Sequence, residues 1–142
     1  MKKIIFTIVA LVFTTPIFAQ NGLIEVTVTG IQNTAGTIEI GVYDHKSSFL
    51  NYGQEIKSAR IKPTKTGGLH YTFENLPDGT YAVAVWHDVN GNREIDKNIF
   101  GVPKEAYGFS KNVFGPFGPP DFEDVSFQIV DRKDMKFTIN LE

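Results

Sequence analysis

From residue 24 onward, apolar and polar residues alternate with a period of two, the spacing of strands that bury one face. Ile24, Val26 and Val28 alternate with Glu25, Thr27 and Thr29. Ile38, Ile40 and Val42 alternate with Thr37, Glu39 and Gly41 after an Asn33-Thr34-Ala35-Gly36 turn. Ala59 and Ile61 mark a weaker strand ended by Pro63, which lacks the N–H a ladder needs. Leu69, Tyr71 and Phe73 follow a Gly67-Gly68 turn, Val125, Phe127 and Ile129 form a late strand, and Met135, Phe137, Ile139 and Leu141 form the last. With a strand over 81–87 this makes about seven strands, and no segment sustains a helical period. The pattern predicts an all-β fold, an antiparallel β-sandwich of immunoglobulin-like or prealbumin-like topology. Ile24, Val26, Ile38, Ile40, Phe73, Val83, Val85, Phe127, Ile129, Phe137 and Ile139 are its expected core.

The 81–87 strand departs from simple alternation. Tyr81, Val83 and Val85 share one face and Ala82, Ala84 and Trp86 the other, so neither face is polar and both need cover. The expected cover is the segment 97–124, which has no strand pattern but carries Phe100, Tyr107, Phe109, Phe114, Phe117 and Phe122 among glycines and prolines. A long insertion so rich in aromatics predicts an ordered lobe, since disordered segments are poor in them. The lobe should pack on Ala82 and Ala84 and bury Trp86 at its edge. Its aromatics either form a small core of their own or line a ligand cleft with Trp86, His87, Glu105, Tyr107 and Phe109 as candidate residues.

The start of the chain has a different character. Lys2 and Lys3 precede an apolar run from Ile4 to Phe13, and residues 14–19 close a segment that reads as a secretory signal peptide. Removal of residues 1–19 leaves a single domain over 20–142, exported to the periplasm or secreted, with no stable membrane span. The chain has no cysteine, so an exported fold must rely on its hydrophobic core or a bound ion rather than disulfides. Without Lys2 and Lys3, 12 of the 14 basic residues remain against 16 acidic ones, a formal charge of 12 − 16 = −4. The basic residues are scattered, which argues against a nucleic-acid partner or an anionic membrane surface.

The run from His87 to Asp96 carries the most specific chemistry. Asp88, Asn90, Asn92 and Asp96 place side-chain oxygens at loop positions 1, 3, 5 and 9, and the Glu94 carbonyl adds the main-chain oxygen of position 7. Alternate oxygens on a tightly turning backbone are what a hard cation requires, and calcium is the expected ion. The twelfth position is Ile99 rather than a bidentate Glu, so a further ligand would come from Glu105, Asp121, Glu123 or Asp124. The other reading is an Asx-rich hairpin, because Asn-Gly favours a turn and Asx side chains bond nearby backbone.

His87 adjoins this loop, with Glu105 and Ser110 in the following segment. A histidine, a carboxylate and a hydroxyl would make the relay of a small hydrolase. Ser110 lacks a Gly-x-Ser-x-Gly elbow, and an anchoring role for His87 is the simpler expectation. His45 and His70 show no zinc-ligand spacing with it.

Three motifs run in order along the chain: His87-Asp88-x-Asn90-x-Asn92-x-x-x-Asp96, Gly101-x-Pro103-x-Glu105-x-x-Gly108-Phe109-Ser110-x-Asn112, and Gly118-x-Pro120-x-Phe122-x-Asp124. With the preceding Leu76-Pro77-x-Gly79-Thr80-Tyr81-Ala82, they resemble the exported bacterial domain of unknown function numbered 2141. The resemblance covers nearly all of the mature chain and implies an exported all-β domain without an established activity. Arg93 stands at the sixth loop position, where similar sequences commonly carry Gly. The leading expectation is a non-enzymatic binding or accessory domain for a protein, carbohydrate or small-molecule ligand, with calcium stiffening the loop 88–96. The hydrolase using His87 with Glu105 or Ser110 is the alternative.

Overall fold

A computed structural model describes residues 21–116 and 118–142, so the expected signal peptide and Phe117 lie outside the described residues. The strands are β1 Gly22–Ile31, β2 Thr37–Tyr43, β3 Lys57–Ile61, β4 Gly67–Leu76, β5 Gly79–Asp88, β6 Tyr107–Phe109, β7 Phe127–Ile129 and β8 Met135–Asn140. A short α-helix, α1 Phe122–Val125, precedes β7, and a 3-10 turn spans Ser110–Asn112 after β6. The strands form an all-β sandwich of two sheets, mostly antiparallel. One sheet has the order β4-β1-β8, the other β3-β2-β5-β6 with β7 also paired to β5.

The alternating apolar residues meet between the sheets. Ile24, Val26, Ile38, Ile40, Phe73, Val83, Val85, Phe127, Ile129 and Ile139 are buried in one core, as the pattern predicts. Phe137 is only partly buried, because β8 is an edge strand; its ring stacks on Phe127 with centroids 4.3 Å apart. The β1–β8 pair is parallel, a departure from the expected antiparallel order. Val125 also differs from expectation: it closes α1 instead of opening a strand, and β7 begins at Phe127.

The long segment after residue 97 contributes its own strand, which alternation did not mark. Tyr107, Gly108 and Phe109 pair with Trp86, Val85 and Ala84. Gly108 is required there because a Cβ would lie 2.5 Å from the Asn140 carbonyl oxygen of the chain passing behind. Over the outer face of β5, Tyr43, Ala82, Ala84, Phe109, Phe122 and Val125 form a second, smaller core with Phe49, Tyr107 and Phe114 packed against it. The expected packing on Ala82 and Ala84 is therefore present, with Phe49 from the β2–β3 connection as an unforeseen part of it. Among the named lobe aromatics, Phe109 and Phe122 are buried, Tyr107 and Phe114 half-buried, and Phe100 exposed. Trp86 is half-buried, not covered as expected. No helix among the described residues is long and apolar enough to cross a membrane.

Candidate functional site

Half-exposure of Trp86 follows from a cleft on the outer face of the five-stranded sheet. Strand register aligns two rows of side chains across β3, β2, β5 and β6. The first row runs Arg60, Glu39, Trp86, Tyr107, and the second Ser58, Gly41, Ala84, Phe109. The middle of the second row has almost no side chain, so the floor is low at Gly41 and Ala84, and Glu55 and the Tyr43 ring lean in over Gly41. The resulting cleft encloses about 640 Å³ and lies mostly on apolar atoms. One wall comes from the β2–β3 connection through Leu50, Tyr52 and Glu55; Glu55 packs so closely that a Cβ on Gly41 would lie 2.8 Å from its Cγ. The facing wall is Arg93, Glu94 and Ile95 from the loop after β5, with Lys97, Pro103 and Pro119 beside it.

Polar groups are fixed along one side of this cleft. Arg60 Nε donates to Glu39 Oε1, and its Nη2 donates to the Tyr52 hydroxyl at 2.9 Å. The bond to Glu39 raises the guanidinium pKa further above its already high ordinary value. Glu39 is buried and also accepts the Thr37 hydroxyl at 2.7 Å. The Tyr43 hydroxyl donates to Glu55 at 3.3 Å; burial, then the Glu55 charge, push its pKa well above the ordinary phenol value.

The loop 88–96 is closed by its own side chains. Buried Asp88 accepts the Gly91 N–H through Oδ1 at 2.7 Å and the Arg93 N–H through Oδ2 at 3.1 Å. Asn90 Oδ1 accepts the Asn92 N–H and Asn92 Oδ1 the Glu94 N–H, each at 2.9 Å. The amide nitrogens of Asn90 and Asn92 both donate to Asp96. Arg93 adopts φ 65°, the left-handed backbone that glycine supplies without strain; in a side-chain-bearing residue this costs about 1 kcal/mol. Its guanidinium forms no ion pair with Asp88 or Asp96 and lines the cleft instead. Among the described residues, no three His, Asp or Glu side chains gather as a metal-binding group; two of the loop's four side-chain donors are asparagines.

Glu105 is buried and ties the two ends of this loop together. Its Oε1 accepts the Val89 N–H at 2.9 Å and its Oε2 the Asp96 N–H at 3.3 Å. Asp124 accepts the Asp121 N–H at the start of α1, and Ile99 at the twelfth loop position is 93% exposed.

His87 is buried, and its Nε2 donates to the Ala35 carbonyl at 2.8 Å, anchoring the β1–β2 turn. Ser110 is fully buried, and its hydroxyl donates to the Val125 carbonyl at 2.6 Å while accepting the Val83 N–H at 3.1 Å. The serine thus fills the gap on the edge of β5 between β6, which ends opposite Ala84, and β7, which begins opposite Tyr81. Of the expected cleft residues, Trp86, Tyr107 and Phe109 line the cleft, whereas His87 and Glu105 lie outside it. Arg60, Glu39, Gly41 and Tyr52 went unmarked in the sequence; the first three were signalled by charged or missing side chains on the outward phase of β2 and β3, whereas Tyr52 lies in the β2–β3 connection and carried no periodic signal.

The family described as "Uncharacterized protein conserved in bacteria (DUF2141)" matches residues 26–138. The chain belongs to this family. The match runs from β1 into β8, so this DUF2141 domain includes both sheets, the cleft and the loop 88–96. Neither curated proteins nor solved structures yielded a match.

Proposed function

We propose that this DUF2141 domain is an exported, non-enzymatic binding or accessory module that holds a small ligand in the cleft over Gly41 and Ala84. The observation that carries this reading is the paired rows of the outer sheet, which set aromatic faces beside fixed polar groups around a low floor. A volume of about 640 Å³ lies within the range of small-molecule sites, roughly 300–1,000 Å³. Trp86 and Tyr107 offer aromatic faces, while Arg60, Tyr52 and Glu55 offer donors and acceptors at one edge. That combination suits a ligand with one apolar face and a polar rim, and a saccharide is the class we favour.

Calcium is the proposed partner of the loop that forms the facing wall. The donor set fits in kind: the carboxylates of Asp88 and Asp96, the amide oxygens of Asn90 and Asn92, and the Glu94 carbonyl are hard oxygens. The two amide N–H groups now face Asp96, and turning their oxygens toward an ion would give up the bonds those oxygens accept from the Asn92 and Glu94 N–H groups, so binding has to rearrange the loop. When bound, the ion supplies charge balance and stiffness. Arg93 and Glu94, in the same loop, would then be held at the cleft edge.

The hydrolase alternative needs His87 to act on Ser110 or Glu105, and no observation favours it. The hydrogen bonds of these three side chains go to Ala35, Val125, Val83, Val89 and Asp96 instead.

Trp86 is the only tryptophan, so its emission reports directly on the cleft. Titration with neutral and acidic mono- and disaccharides should give a saturable change for at least one, lost in Arg60→Ala. Flat emission across the whole panel would reject the saccharide reading.

A further inference from the structure

Directly after the loop, residues 96–104 fold back as a narrow hairpin whose tip faces solvent. Its stems are joined by a Lys97–Pro103 bridge and by the Lys104 N–H donating to the Asp96 carbonyl at 2.7 Å. Asn98 closes the tip: its N–H donates to the Val102 carbonyl at 2.8 Å, and its carbonyl accepts the Gly101 N–H at 2.9 Å. Its side-chain Oδ1 also accepts the N–H groups of Phe100 and Val102, at 2.9 and 3.0 Å. This ordered turn carries Ile99 at 93%, Phe100 at 83% and Val102 at 55% exposure. Ile99 and Phe100 are the most exposed large apolar side chains among the described residues.

Three features identify what would cover this tip. Its shape is convex and narrow, so it has to enter its partner, and a fluid bilayer accepts a projection without a preformed pocket. Its amides at 98, 100, 101 and 102 are already bonded within the turn, so entry into the headgroup–acyl boundary leaves few donors unpaired. Lys97 and Lys104 stand one on each stem, exposed and in no ion pair among the described residues. Of the carboxylates close in sequence, Asp96 accepts the Asn90 and Asn92 amides, Glu105 is buried, and Glu94 is exposed at the cleft edge, none of them in an ion pair with either lysine. Two free ammonium groups behind an apolar tip match anionic headgroups around an inserted wedge.

We propose that the 96–104 hairpin docks the domain on a membrane with anionic lipid, inserting Ile99 and Phe100 while Lys97 and Lys104 meet the headgroups. The scatter of basic residues along the chain had argued against an anionic surface, but the hairpin brings these two together on one projection. Lys97 also borders the cleft, but Ile99, Phe100 and Lys104 do not, and binding to vesicles is tested with no cleft ligand.

Co-sedimentation of the mature chain with vesicles of equimolar phosphatidylcholine and phosphatidylglycerol tests it, with pure phosphatidylcholine alongside. Wild type should pellet with the anionic vesicles. Ile99→Asp/Phe100→Asp should weaken partitioning about a hundredfold, since each buried side chain is worth about tenfold or more. Lys97→Gln/Lys104→Gln should weaken it about tenfold or more on anionic vesicles only, at about 1 kcal/mol for each lysine. All four side chains are exposed, so thermal melts of these variants should match wild type. A Phe100→Trp probe in a Trp86→Phe background should shift to the blue on binding and be quenched by brominated lipid. Failure of wild type to pellet, undiminished binding of the Ile99→Asp/Phe100→Asp variant, or an unshifted probe would each overturn the proposal.

Discussion

Replacing Ser110 by Ala separates a structural hydroxyl from a reactive one. The hydroxyl accepts the Val83 N–H at 3.1 Å and donates to the Val125 carbonyl at 2.6 Å, in a fully buried site. β5 is the central strand of its sheet, and this hydroxyl stands in for the ladder between β6 and β7. Alanine would leave two buried backbone groups without these partners, at about 1–3 kcal/mol each. Freedom from dehydrating the hydroxyl itself offsets part of that, so the expected net loss is about 2–3 kcal/mol. Against a total of about 5–15 kcal/mol for an ordinary domain, this is a large fraction. Urea unfolding should show a lower midpoint with an unchanged slope, since the surface exposed on unfolding stays the same. Ser126→Ala is the control: its half-buried hydroxyl donates to the Glu123 carbonyl at 3.3 Å and should matter by less than about 0.5 kcal/mol. A Ser110→Ala loss no larger than that of the control would refute the ladder role and return Ser110 to consideration as a nucleophile.

Calcium at ten times a dissociation constant of order 10⁻⁴ to 10⁻³ M should stabilise the domain by about 1.4 kcal/mol, magnesium by less. Asp96→Asn is the informative variant and should abolish the gain, because Asp96 accepts side-chain amides at its carboxylate; buried Asp88 holds two backbone N–H groups, so Asp88→Ala would also damage the apo fold. Thermal melts in calcium against chelator check this, and an unshifted wild type would leave the loop a self-closed turn. Phe127→Ala should cost about 3–5 kcal/mol and Phe137→Ala clearly less, given their different burial; a double-mutant cycle should reveal coupling through the 4.3 Å stack. Tyr43 favours its protonated form in the folded state, so its contribution is complete below the ordinary value of 10.0 and is lost as pH rises from there through its raised folded value. An ultraviolet phenolate titration should therefore lose no transition near pH 10 when Tyr43 is replaced by Phe.

Alternation made the sandwich legible because each strand buries one face, and a one-residue slip would expose the whole core set. Every expected core residue except Phe137 is buried, and Phe137 fell short because periodicity marks a face without revealing that β8 is an edge. The parallel β1–β8 pairing was likewise invisible, since the same alternation serves both orientations. β6 escaped notice because Tyr107-Gly108-Phe109 is too short for a period and owes its position to the chain end: Tyr107 exchanges both backbone hydrogen bonds with Glu142. The loop was legible as a turn of Asx side chains, since its hydrogen bonds are local in sequence. The cleft was legible only in its aromatic half. Trp86, Tyr107 and Phe109 stood out by type, whereas Arg60, Glu39, Gly41 and Ser58 reach it through β2–β3 and β2–β5 register, which sequence spacing does not carry.

Chemical-shift mapping on the labelled domain tests the binding reading most directly. For the saccharide that alters Trp86 emission, the account predicts perturbations at the Trp86 indole, Gly41, Arg60 and Tyr107, saturating together. Perturbations confined to the three-stranded β4-β1-β8 sheet, or none at ligand concentrations that change the emission, would contradict it.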